Sequence, residues 1–107
     1  MGITKESKEI LKRLYEIYQK RRKKKIPRSK AMRMGSSVAL QQKIFPSIHQ
    51  DTLDDIFLEL YNTGYIQYKQ YGNAIESICL THKTLVWKEN IPTKNIESLV
   101  QFISNFI

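Results

Sequence analysis

The sequence predicts a mainly helical α+β domain built around one β-hairpin. Three features carry that prediction. Apolar residues recur at three- and four-residue spacing in two separate segments, Ile10, Leu14, Ile17 and Leu53, Ile56, Phe57, Leu60, which lines one face of a helix in each. From Tyr65 to Leu80 the chain passes through Gly72-Asn73, a two-residue connection suited to a hairpin. A length of 107 residues supports one domain with a modest core.

The first helix is expected over 4–24. Thr4 or Ser7 can cap it, and Glu6 and Glu9 suit its positive end. Leu11, Tyr15 and Tyr18 form a second stripe beside the first, so the face is wide enough to be buried on more than one side. The helix must stop before Pro27, because proline disfavours helical angles in the residue before it. Residues 25–50 read as a basic linker with one helix over 36–44, although Val38, Leu40, Gln42 and Ile44 also alternate as a strand would. A third helix is expected over 51–63. Ser47 and Gln50 have capping-box spacing, Asp51 competes as the cap, and Gly64 suits the left-handed position after the end.

The hairpin over 65–80 is expected to set Tyr65 opposite Leu80, Gln67 opposite Ile78 and Lys69 opposite Glu76. Because an isolated hairpin is marginal in water, it must pack on the helices. A short helix over 82–89 follows, capped by Thr81, and a last one over 93–106 carries an apolar stripe. Up to the short helix this order suits a winged helix-turn-helix, with an additional C-terminal helix beyond it. The run Leu53-Asp54-Asp55-Ile56, Leu60, Gly64-Tyr65-Ile66, then Leu80-Thr81 and Lys88-Glu89-Asn90, resembles small winged-helix proteins of the YjcQ type, found in Gram-positive bacteria and their phages. The likeness covers the chain from about Thr52 onward. It implies a fold more than an activity. Two departures are a longer segment before Thr52 and Thr84 at a position often held by glycine.

Charge is distributed unevenly. No acid occurs between Glu16 and Asp51, while Lys20, Arg21, Arg22, Lys23, Lys24, Lys25, Arg28, Lys30, Arg33 and Lys43 supply ten positive charges. The rest of the chain holds eight basic and ten acidic residues, so a roughly neutral domain carries one basic segment. Ten cations without a counter-charge exceed what a helix dipole needs and predict a polyanion partner. DNA is the expected one, with RNA left open by charge alone. The positive residues would neutralise phosphates. On helix 36–44, Ser36, Ser37, Gln41, Gln42 and Lys43 are candidates to read bases, since glutamine can pair with adenine. Lys69 on the wing is a further contact. Helix 51–63 carries Asp51, Asp54, Asp55 and Glu59 with no cation, which argues against its insertion into a groove.

No catalytic set, phosphate-binding loop or paired cysteines can be found, so a non-enzymatic protein without cofactor or metal is expected. His49 beside three carboxylates reads better as a capping loop than as a ligand set. Cys79 is expected to be a small core residue facing Ile66, and Trp87 to close the core. No apolar run approaches 18 residues and the first ten lack the core of a secretory signal, so a cytoplasmic chain away from membranes is expected. Ile96, Leu99, Val100, Phe102, Ile103 and Phe106 make the last helix a candidate homodimer surface. Two functions from different classes follow. The first is a DNA-binding protein, such as a transcriptional regulator, using the patch at 20–33. The alternative is a protein-interaction module whose acidic 51–59 face docks a partner, for instance a phage-encoded inhibitor of a nucleic-acid enzyme.

Overall fold

The computed structural model describes residues 3–89, so the helix expected over 93–106 lies outside the described residues. The elements run α1 (Lys5–Lys23), α2 (Arg28–Ala31), β1 (Arg33–Gly35), α3 (Ser37–Lys43), α4 (Gln50–Asn62), β2 (Ile66–Tyr71), β3 (Ala74–Leu80) and α5 (His82–Glu89). The three strands form one antiparallel sheet in the order β1-β3-β2. This is a compact α+β domain.

Thr4 caps α1, its hydroxyl accepting from Ser7 N at 3.2 Å. Both apolar stripes of the helix are used: Ile10, Leu11, Leu14, Tyr15 and Tyr18 are buried, and α1 meets α2, α4 and α5. Leu11 and Leu14 reach full burial with Leu53, Phe57, Leu60, Ile66, Ile78 and Leu80. Each such side chain contributes roughly 1.5–3 kcal/mol by leaving water.

The segment 25–50 holds more structure than one helix. Proline at 27 opens the single-turn α2. Gly35, at φ +93°, is the last residue of β1 and turns the chain toward α3. In β1 only Met34 is buried, and a three-residue strand is too short to display alternation. Its pairing with β3 converts the expected two-stranded hairpin into a three-stranded sheet. Residues 37–43 form a helix, not the alternating strand, because Ser36 accepts from Ala39 N and starts the helical ladder.

Two expectations need correction. The cap of α4 is His49, whose Nδ1 accepts from Asp51 N at 3.2 Å, in place of Ser47 or Asp51. Gln50 does not reach back toward Ser47, because its amide is drawn to Ser37 and Asp54. In the hairpin, Lys69 does face Glu76, yet Ile66 pairs with Leu80 and Gln67 with Cys79. The register slips by one residue beside Ser77, which sits at φ +56°. Ile75 and Ile78 are three apart and face opposite ways in a regular strand. The irregularity lets both be buried. Cys79 consequently lies between Arg33 and Gln67, half-buried, and not opposite Ile66.

Candidate nucleic-acid interface

The basic segment begins where α1 ends. Lys25 takes the left-handed conformation at φ +66°. Its amide donates to Arg22 O at 2.9 Å, and that of Ile26 to Arg21 O at 3.1 Å. This pair of bonds is the Schellman closure of a helix, normally built on glycine. The turn sends the chain back along α1. Arg21 Nη1 donates to Ala31 O at 3.3 Å and to Arg33 O, while Arg22 Nη1 donates to Ile26 O at 3.0 Å. Arg21 thus ties α2 and β1 to the end of α1, and Arg22 satisfies a carbonyl of the turn.

The remaining cations of the segment face water: Lys20, Lys23, Lys24, Lys25, Arg28, Lys30 and Arg33 are exposed. Among the described residues the ion pairs are Lys12–Glu9, Arg13–Glu16 and His49–Asp51, and none involves a cation of the segment. The nine positive side chains from 20 to 33 thus lie on the end of α1, the turn after it, α2 and β1, with no ion pair to a carboxylate among the described residues. Lys43, exposed, closes α3 about 10 Å along that helix from Ser36. Lys69 is on β2, at the opposite edge of the sheet from Arg33. The structure does not bring Lys69 into the cluster. Nor does it pair Lys69 with Glu76, its direct neighbour across the strands, in a salt bridge.

The base-reading candidates on α3 divide. Ser36 is the cap. Ser37 is buried, its hydroxyl donating to Asp54 Oδ1 and accepting from Gln50 Nε2 at 2.7 Å. Gln41 Nε2 donates to Ile48 O at 3.1 Å, which holds the α3–α4 connection. Gln42 and Lys43 alone remain exposed. Sequence reasoning missed these commitments because it places a residue on a helix without showing what stands opposite.

The same holds for the acids of α4. Asp54 locks α4 to α3 through Ser37 and Gln50. Glu59 accepts from Thr4 N at 2.7 Å and from Thr4 Oγ1 at 3.1 Å, tying α4 to the start of α1. The amide of Thr4 holds the Glu59 carboxyl below the ordinary carboxylate range. Asp51 and Asp55 stay exposed, alongside Leu58 at 47%, Tyr61 at 45% and, on the hairpin, Tyr71 at 60%. Tyr61 stacks on Tyr68 with ring centroids 4.6 Å apart. The segment from Lys20 to Arg33 is cationic, while the exposed side of α4 is acidic with Leu58 and Tyr61 beside its carboxylates.

Among the described residues no group of three His, Cys, Asp or Glu side chains is placed to hold a metal ion. Burial pushes the Cys79 thiol upward against the opposing pull of Arg33. No helix among the described residues is long and apolar enough to cross a membrane. Ile96, Leu99, Val100, Phe102, Ile103 and Phe106, the candidate dimer surface, lie outside the described residues. Trp87, partly buried, meets Tyr65 edge-on at 5.9 Å. Comparison of the chain with family models, curated proteins and solved structures found no match.

Proposed function

We propose that the chain is a winged helix-turn-helix protein that binds nucleic acid, DNA first, through the cationic segment from Lys20 to Arg33. The fold part of this reading is supported by the order of α1, β1, α3, α4, β2 and β3 and by the sheet order β1-β3-β2. In it, α3 and α4 are the helix pair and the β2–β3 hairpin is the wing. The likeness to the YjcQ type belongs to the same proposal and rests on the residues from Leu53 to Asn90.

The observation that carries the binding reading is the set of exposed cations from Lys20 to Arg33, none paired with a carboxylate among the described residues. Like charges gathered on one surface repel each other, and a row of phosphates relieves that repulsion while releasing counterions. The mode differs from insertion of the second helix of the pair, since α4 presents Asp51 and Asp55 to solvent. Contact is made by the end of α1, the Lys24–Ile26 turn and α2, with Gln42 and Lys43 as the available side chains on α3. Such contacts grip the backbone and carry little sequence information. The role is binding, as in a transcriptional regulator, and not catalysis.

Titration of a mixed-sequence duplex over a range of salt concentrations tests this. Affinity should fall steeply with salt. Replacing Lys23, Lys24 and Arg28 by alanine should flatten the logarithmic slope by roughly 2–3. Absence of binding by the unmodified chain at low salt would remove the reading.

A second reading has its own observation. Leu58 and Tyr61 are exposed on α4, the helix that also bears the exposed Asp51 and Asp55. An apolar anchor ringed by charge suits a protein partner of opposite sign. Under that reading the fold serves as an interaction module for a cationic protein, in the manner of a phage-encoded inhibitor. It takes precedence if the duplex does not bind.

A further inference from the structure

One face of the last turns of α1 changes character along its length. Tyr15, Tyr18, Gln19, Arg22 and Lys23 follow at helical spacing and line an open cleft of about 430 Å³, together with Arg28 at the start of α2 and Glu89 at the end of α5. A volume of this order suits a small ligand. The stripe runs about 12 Å from Tyr15 to Lys23. One end is formed by the rims of Tyr15 and Tyr18, each 4% exposed with rings 5.5 Å apart, and Lys88 Nζ lies 5.8 Å from the Tyr15 ring centroid. Its other end is cationic.

The polar groups of the cleft are unevenly committed. Glu89 Oε2 accepts from Tyr15 Oη at 2.7 Å. Arg22 uses one nitrogen on Ile26 O, which leaves the other guanidinium donors available. Lys23 and Arg28 are exposed. Although a carboxylate lines the same cleft, none of these three cations pairs with it or with any other acid among the described residues. The cleft therefore combines an unspent anion site with the rims of two buried tyrosines, an amide at Gln19 and a carboxylate acceptor at the far end.

We propose that this cleft binds a nucleotide, its phosphate at Arg22, Lys23 and Arg28 and its base toward Tyr15 and Glu89. The length of the stripe matches a single nucleotide. A cationic fork suits a terminal phosphate, the Glu89 carboxylate suits a base amino group, and Gln19 lies between them. The same chemistry is offered by a free mononucleotide and by the 5′-phosphorylated end of a strand. In choosing nucleotides as the ligand class the proposal rests on the nucleic-acid reading. It differs in requiring one saturable pocket instead of a surface.

The test is calorimetric titration of the full chain with adenosine monophosphate, adenosine and inorganic phosphate, followed by a short single strand with and without a 5′-phosphate. The monophosphate should bind one to one, about tenfold or more tighter than either fragment, because each fragment keeps only half the contacts. Arg28→Ala and Lys23→Ala should each weaken it about tenfold, the loss of one charge-assisted contact. Lys8→Ala, which removes an exposed charge near the start of α1, should leave it within about twofold. A 5′-phosphate that tightens strand binding in the unmodified chain but not in Arg28→Ala identifies the strand end as the source, and a free nucleotide that outcompetes it identifies the mononucleotide. Equal effects of Lys8→Ala and Arg28→Ala, or a monophosphate no tighter than phosphate, would overturn the pocket. Duplex binding with no monophosphate binding removes the cleft alone. Monophosphate binding with no duplex binding removes the surface alone.

Discussion

Helices α1 and α4 end in the same way on different residues. After α4 the amide of Gly64 donates to Tyr61 O at 3.1 Å and that of Tyr65 to Leu60 O at 2.9 Å. After α1 the amides of Lys25 and Ile26 make the equivalent bonds to Arg22 and Arg21. Gly64 stands at φ +87° and Lys25 at φ +66°. A left-handed backbone is free for glycine and costs about 1–2 kcal/mol for a residue with a Cβ. The end of α4 follows the conformational rule and is sewn into the fold: Thr81 Oγ1, Lys83 Nζ and Thr84 Oγ1 donate to the carbonyls of Gly64, Thr63 and Tyr65. The end of α1 accepts strain and keeps a charge. The difference separates a terminus placed for stability from one placed for a cationic surface.

The largest expected effect is at α4. Thr84 is fully buried, and its hydroxyl meets Tyr65 O at 2.6 Å. Thr84→Val keeps the shape and removes this bond, while Tyr65 O still accepts from Thr81 N at 3.2 Å, so denaturant unfolding should show a loss of about 1.5 kcal/mol. Gly64→Ala comes next. A Cβ there would lie an ordinary 3.6 Å from Lys83 Cδ, so the expected loss of about 1 kcal/mol is conformational. Lys25→Gly should move the other way, gaining about 0.5 kcal/mol as relief of strain outweighs the added freedom of the unfolded chain. The same variant should flatten the salt dependence of duplex binding by roughly 1 in logarithmic slope. A loss of stability in Lys25→Gly would break the comparison between the two ends.

The smallest effect concerns Glu59, which joins α4 to the cap of α1. Because its folded carboxyl titrates below the ordinary range, its contribution is fully present above that range and is lost as pH falls through the lowered value. Glu59→Gln should therefore cost a few tenths of a kcal/mol near neutrality and narrow its deficit in acid. Unfolding midpoints across pH 3–7 for both chains would show this as converging curves.

Much of the helical framework could be read along the chain, since stripes, caps and breakers are local. Thr4, Pro27 and Gly64 mark ends through their own backbone preferences. The hairpin turn was legible for the same reason: Gly72 at φ +61° begins the two-residue connection. Local signals failed where a distant partner decided the outcome. β1 exists because β3 offers it an edge, and the slip at Ser77 exists because Ile75 and Ile78 must share one core. His49 caps α4 while Gln50 turns away toward Ser37 and Asp54.

The candidate site divides along the same line. A run without acids from 17 to 50 is a property of composition, and the sequence alone determines that its charge has no local counterweight. Which of those charges meet solvent was decided by the tertiary structure. Folding turned Arg21 and Arg22 onto carbonyls, buried Ser37, committed Gln41, and left Lys23 and Arg28 at the mouth of a cleft whose far end is supplied by α5. Periodicity and charge are carried by neighbours in the chain, so the sequence contains them. Hydrogen-bond partners and clefts are made by residues far apart in it, and exist only once the core has brought them together.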